Sequence, residues 1–185
     1  MELAILSDTH VPGQASGMPD GFRDYVRDAD HVVHAGDFGS VSAFEEIAAM
    51  ADDLTAVYGN ADPVDIDLPA VASLETAGLT LVVIHGIVNP IERSVGSSEG
   101  VVFDREDWLA AVAETTRYRA DGPMVGVAGH SHEIEDVVHD GVRVLNPGSA
   151  TGVGRAETAS MMTATVDEGE LAVTVHETDP VGGGA

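Results

Sequence analysis

Five times along this chain an apolar, strand-length segment runs directly into a cluster of Asp, Asn, His and Gly, and that repetition constrains the fold more than any other feature. Ser7-Asp8-Thr9-His10 follows residues 3–6, Gly36-Asp37 follows 32–35, and Gly59-Asn60-Ala61-Asp62 follows 54–58. His85-Gly86 follows 79–84, and Gly129-His130-Ser131-His132 follows 124–128. Parallel strands present their carboxyl ends along one sheet edge, so five such clusters can converge in space. Together they bring carboxylate, imidazole and amide oxygen with no thiol, a donor set suited to borderline divalent metals. Singly each motif is weak. Gly-Asp and Gly-Asn are ordinary turn dipeptides, and among eight histidines a lone one is more often a surface or core residue than a ligand. The ordered set carries the signal, with Asp8 and His10 two apart, His130 and His132 two apart, and glycine beside four of the clusters, where it lets backbone approach an ion.

Periodicity predicts strands over 3–6, 31–34, 54–58, 71–74, 79–84, 124–127, 134–138 and 142–145, several β-branched and nearly continuous as in buried sheets. A closing hairpin is expected over 160–166 and 171–175, and helices over 20–27, 40–51 and 105–117, the last with Trp108, Leu109, Val112 and Ala113 on one stripe. Strands that alternate with helices early and pair locally late give an α/β chain of two packed sheets flanked by helices. The 185 residues suit one domain over 1–178, with a glycine-rich tail over 179–185 expected to fray. Residues 87–104 form a long Gly- and Ser-containing segment directly after a strand, where loops that shape a site commonly sit.

The net charge is −24, all eight basic residues are arginine, and lysine is absent, which argues against nucleic-acid backbone binding. Such self-repulsion is relieved at molar salt, where the Debye length falls to about 3 Å, so a halophile-like protein is expected. The absence of cysteine excludes disulfides and thiolate sites and fits a reducing cytoplasm. The start lacks a basic signal region, and the longest apolar run, 79–84, is too short to span a bilayer, so a cytoplasmic location is expected.

The order D-x-H, G-D, G-N, H and G-H-x-H resembles the calcineurin-like metallophosphoesterases, above all the small single-domain phosphodiesterases of bacteria and archaea, over residues 7–149. The resemblance implies a four-layer αββα sandwich of two mixed sheets and a dinuclear centre at strand carboxyl ends. It implies Asp8, His10 and His132 on the first metal, Asn60, His85 and His130 on the second, and Asp37 bridging both, with Asp37, Asn60 and His130 the catalytic members. The implied cofactor is two divalent ions, manganese first, with nickel, iron, cobalt or zinc also suited to the donors. The implied reaction is hydrolysis of a small phosphodiester by a metal-bridging hydroxide attacking phosphorus in line. Two divalent ions against two carboxylates and one hydroxide leave the centre locally positive, so it draws a phosphate anion although the whole chain repels one. A phosphomonoesterase with the same centre is the alternative within enzymes. A non-catalytic scaffold is the alternative outside them, since the same fold serves a retromer sorting subunit. High acidity does not forbid a homodimer at high salt.

Two departures from the wider pattern stand out. Ala61 occupies the place where many relatives carry a histidine able to protonate a leaving group, help worth typically ~10²–10⁴ in rate, so esters with good leaving groups are expected. Asp62 either orients a ligand or ends a strand. Ser40 replaces the second acid of G-D-x-x-D and receives no catalytic role. Asn146-Pro147-Gly148-Ser149 reads first as a tight turn. His31, His34, His139 and His176 read as structural or exposed, and Arg93 and Arg155 could approach a substrate phosphate, though no sequence feature places either one there.

Overall fold

The computed structural model describes residues 1–86 and 104–181. The strands are β1 (Glu2–Leu6), β2 (His31–His34), β3 (Leu54–Ala56), β4 (Val71–Thr76), β5 (Leu79–Ile84), β6 (Met124–Val127), β7 (Ile134–His139), β8 (Val142–Pro147), β9 (Ala159–Asp167) and β10 (Glu170–Thr178). The helices are α1 (Asp20–Asp28), α2 (Val41–Met50) and α3 (Arg105–Arg119).

Alternation along β1 shows how the layers arise. Leu3 and Ile5 point one way, into an apolar cluster with Val33, Leu81, Val83, Val127 and Leu145 that lies between the sheets. Ala4 and Leu6 point the other way, against Phe22 and Val26 of α1 and Ala43 and Ile47 of α2. A strand covered on both faces must be apolar throughout, which is why its alternation is invisible in the sequence. On the far side Trp108, Leu109 and Val112 of α3 pack on Ile84, Val142 and Val144. The layers therefore run helices, sheet, sheet, helix, the expected αββα sandwich.

The first sheet has the order β10-β9-β1-β2-β3 and the second β4-β5-β6-β8-β7. Within them β1, β2 and β3 are parallel, as are β5, β6 and β8, while β4, β7, β9 and β10 pair antiparallel. All five polar clusters leave the carboxyl ends of parallel strands, or of the short connections that continue them.

Several expected boundaries move. The strand expected to reach residue 58 ends at Ala56, because the Tyr58 N–H turns to the Pro69 carbonyl (3.1 Å) and the chain leaves the sheet. The closing hairpin is longer than its apolar core, pairing Ala159 with Thr178, since ladder pairing continues where alternation has turned polar. The tail expected to fray from Asp179 is held as far as Val181, whose N–H donates to the Thr151 carbonyl at 3.0 Å. Residues 182–185 lie outside the described residues, as do 87–103, which hold Arg93 and all but the last residue of the expected site-shaping segment. Among the described residues no helix is long and apolar enough to cross a membrane.

Candidate metal centre

The seven singled-out residues meet between the two sheets, at the ends of β1, β2, β3, β5 and β6. Five of them hold positive φ: Asp8 (53°), His10 (51°), Asp37 (60°), His130 (73°) and His132 (62°). A left-handed non-glycine residue costs roughly 1–2 kcal/mol, so the sharp turns after the strands are held against a local preference. Backbone pairs do the holding: Asp8 N–H donates to Gly36 O (3.0 Å) and His10 N–H to Asp37 O (3.0 Å), joining the first two motif loops.

Asp8 is fully buried, and its two oxygens differ. Oδ2 accepts from the Ser7 hydroxyl (2.6 Å) and the His130 N–H (3.0 Å). Oδ1 is buried and makes no hydrogen bond among the described residues, although Nε2 of His132 stands 3.1 Å away and Nε2 of His10 3.6 Å. Asp37 repeats this design. Its Oδ1 accepts from the Ala61 N–H (2.7 Å), while Oδ2 lies 3.6 Å from His10 Nε2 and 3.4 Å from His85 Nε2, between the two histidine groups. Asn60 Oδ1 stands 3.1 Å from His85 Nε2 and 2.9 Å from His130 Nδ1. Two groups thus gather ligand atoms within 4.8 Å: Asp8, His10 and His132, and Asp8, Asp37 and His85. Asn60 and His130 adjoin the second.

Carbonyls set the ring tautomers. Nδ1 of His85 faces Ala35 O (2.8 Å) and Nδ1 of His132 faces Val153 O (2.8 Å). A carbonyl only accepts, so each Nδ1 carries the hydrogen and each Nε2 lone pair is turned toward the cluster. The buried carboxylates and imidazoles also shift one another's titration. Burial pushes the Asp8 carboxyl up, but the imidazoles of His10 and His132 and the charge on His85 outweigh it and hold it far below the usual carboxylate range. Burial disfavours charge on His85, yet Asp37 and Asp8 outweigh burial and raise it to about 9. Burial likewise opposes charge on His132, which Asp8 raises, whereas burial and the neighbouring His85 lower His130.

Residues 1–169 match the calcineurin-like phosphoesterase superfamily domain. The chain belongs to that superfamily. A probable metallophosphoesterase of Methanothermobacter thermautotrophicus is 30% identical over 181 residues, spanning 92% of this chain and 89% of its own. Among solved folds, Vps29 of Entamoeba histolytica complexed with Zn²⁺ superposes with TM-score 0.69 at 22% identity, covering 97% of this chain and 99% of its own. An archaeal phosphodiesterase superposes with TM-score 0.59 at 21% identity, covering 95% and 100%. These last two likenesses are of fold.

A calcineurin-like phosphoesterase implies divalent metal ions, and the residues here fit them. A buried carboxylate oxygen with no hydrogen-bond partner among the described residues, surrounded by imidazole lone pairs of fixed tautomer, is short of a cation rather than of a donor. Close glycines make the convergence possible. A Cβ on Gly59 would lie 2.1 Å from Asp37 Oδ1, and one on Gly129 1.9 Å from Ser7 Oγ.

Residues outside the seven brace this cluster. The carboxylate of Asp62 accepts three backbone N–H groups, Asp37 (3.0 Å) and Gly59 (2.8 Å) on Oδ2 and Gly39 (3.0 Å) on Oδ1. Of the two readings of Asp62 the geometry favours orientation of a ligand over the end of a strand: it holds the Asp37 backbone and ties two motif loops together. Asn146 donates to Gly129 O (3.2 Å) and Ser131 Oγ (2.9 Å), and Ser149 Oγ donates to Asp8 O (2.9 Å), so the segment read first as a turn also braces the cluster. Trp108, expected only as core, also donates its indole N–H to Gly129 O (3.1 Å). Ser40 caps α2, accepting from the Ala43 N–H at 3.1 Å. The remaining histidines stay outside the cluster: His34 is buried on Thr9 and Gly36, His31 pairs with Thr55, His176 with Thr163, and His139 lies by Glu106 and Asp140.

Proposed function

We propose that this chain is a divalent-metal-dependent phosphodiesterase, with residues 1–178 acting as one catalytic domain. Asp8, His10 and His132 would hold one ion and Asn60, His85 and His130 the other, with Asp37 shared. The observation that carries this reading is the placement of Asp37 Oδ2 between the two groups, 3.6 Å from His10 Nε2 of the first and 3.4 Å from His85 Nε2 of the second. Two divalent ions, manganese in the first instance, would supply an activated water for in-line attack and positive charge for the phosphoryl oxygens.

The chain's own residues set the rest of the chemistry. Carbonyls of Ala35 and Val153 keep His85 and His132 in the ligating tautomer. Ser7 and the His130 amide hold the Asp8 carboxylate in one rotamer. At position 61 the chain offers Asp37 a backbone N–H and no imidazole, so the leaving oxygen receives no proton from that position. Aryl diesters should therefore turn over at least ~10²-fold faster than alkyl diesters; comparable rates would refute this account of Ala61.

The deciding experiment is hydrolysis of bis-p-nitrophenyl phosphate by metal-stripped protein, by the same sample refilled with manganese, and by Asp37→Ala. Manganese-dependent turnover lost in Asp37→Ala supports the reading, and p-nitrophenyl phosphate in parallel separates diesterase from monoesterase. Folded protein that binds metal and turns over neither ester would favour the scaffold reading.

A further inference from the structure

A cavity of about 460 Å³ opens beside the ligand cluster, with His130 and His132 on its wall. Trp108 and Arg105 of α3 form a second side, and Gly154 and Arg155, from the β8–β9 connection, a third. Most charges around it are already engaged. Asp104 caps α3 by accepting from the Asp107 N–H at 3.0 Å, and Arg105 binds Glu135 through two contacts of 2.5 and 2.8 Å. Arg155 is exposed and, among the described residues, makes no hydrogen bond or ion pair. In a chain with 32 acidic residues, a guanidinium with no partner among the described residues on the wall of a site is a feature that calls for a ligand.

The backbone beneath Arg155 is fixed to the centre. Thr151 Oγ1 donates to Thr9 O (2.9 Å), Val153 N–H donates to Ser149 Oγ (3.2 Å), and Val153 O accepts from His132 Nδ1. Gly154, at φ 70°, lies so close that a Cβ there would stand 2.6 Å from His132 Nδ1. Arg155 therefore starts directly behind the His132 ring, on the edge turned away from Asp8. A scissile phosphate would belong to the Asp8 and Asp37 side, so a group that meets Arg155 belongs to an arm of the substrate extending past His132 into the cavity. A guanidinium offers such a group a planar fork of donors matched to phosphate or carboxylate.

We propose that Arg155 is a specificity-determining residue that binds a second anionic group on the substrate, so that favoured substrates are phosphodiesters, nucleotide-like in charge, with a negative group beyond the scissile phosphate. The inference rests on the phosphodiesterase reading above, and its test is arranged so that the two can fail separately.

Two diesters isolate the second charge: the p-nitrophenyl ester of thymidine 3′-phosphate, with and without a 5′-phosphate. The manganese-loaded protein should show a KM about tenfold lower for the 5′-phosphorylated ester, the size expected for a charge-assisted pair. Arg155→Gln should erase that preference with kcat unchanged, and Arg155→Lys should keep part of it. Calorimetric titration with thymidine 3′,5′-bisphosphate against thymidine 3′-phosphate gives the same comparison without turnover. A wild type indifferent to the second phosphate, a preference that survives Arg155→Gln, or a loss shared equally by both ligands would overturn the assignment. If neither ester is hydrolysed, the phosphodiesterase reading fails, while the calorimetric comparison still decides Arg155.

Discussion

Replacing Asp62 by alanine should loosen the metal centre from a position that touches none of its proposed ligand side chains. The carboxylate collects the N–H groups of Asp37, Gly39 and Gly59 at 3.0, 3.0 and 2.8 Å. Hydrogen bonds to an ionised acceptor contribute roughly 1.5–3 kcal/mol each when protected from water. Asp62 is half-buried, so water replaces part of each bond, and about 1 kcal/mol per bond, or ~3 kcal/mol in all, is the expected cost. In a chain of this size that corresponds to a Tm lower by ~6–12 °C. Asparagine should fall between: its amide oxygen can keep the two donors of Oδ2, while its NH₂ faces the Gly39 N–H. Because Asp37 and Asn60 sit on the loops that Asp62 joins, alanine should also weaken divalent binding by ~10–100-fold. Equilibrium urea unfolding of metal-free protein in molar potassium chloride measures the first effect, and manganese titration calorimetry the second. A cost for alanine below ~0.5 kcal/mol together with unchanged manganese affinity would refute the argument that this carboxylate holds the loops.

His34 is buried, its Nδ1 accepts from the Gly36 N–H at 3.1 Å, and burial first of all lowers its pKa to about 3. Between that value and 6.5 the unfolded chain takes up a proton that the folded chain refuses, so stability should fall with falling pH by about 1.4 kcal/mol per unit from this residue; His34→Gln should lose that component of the slope in pH-dependent unfolding, and an unchanged slope would contradict it. Raised to about 9, His85 holds a proton at neutral pH in the metal-free protein, a stabilising contribution complete below 6.5 and lost as pH rises through 9. Metal must displace that proton, so manganese affinity should climb with pH from 6.5 to 9 by up to about tenfold per unit, and a flat calorimetric profile would count against His85 as a ligand. With 32 acidic against 8 basic residues, Tm should rise from low to molar potassium chloride as screening shortens toward ~3 Å, and a flat or falling Tm would remove the halophile reading.

How legible this was depended on what kind of interaction decided each feature. Strands β1, β2, β5 and β6 were readable because a strand covered on both faces must be a continuous apolar run, and the ligand cluster because its residues fall immediately after those runs. For Asp62 the orientation of a ligand is one of two readings the sequence leaves open and for Ser149 bracing is the lesser one, since both act on backbone groups, and a side chain bound to backbone leaves no complementary residue type to find. Ala61 illustrates the same limit. Its missing imidazole is plain in the sequence, whereas the service of its N–H to Asp37 is a property of the fold. Arg155 reads as able to reach a phosphate, but its place depends on the close approach of Gly154 to the His132 ring, which only the fold reveals.

The strain of the site and its charge have one explanation. Five of the seven converging residues hold left-handed backbone, and two buried carboxylates, Asp8 and Asp37, face the imidazoles of His132, His10 and His85 across the same small space. Neither arrangement lowers the free energy of an isolated fold, and a chain of charge −24 makes every further carboxylate in its interior more costly. Both become favourable once positive charge occupies the space they surround. The groups that secure the arrangement, the Ser7 hydroxyl and the His130 amide donating to Asp8, the Ala61 amide donating to Asp37, and the carbonyls accepting from His85 and His132, each engage the face turned away from that space. The arrangement is thus secured by interactions that a divalent cation need not break on binding.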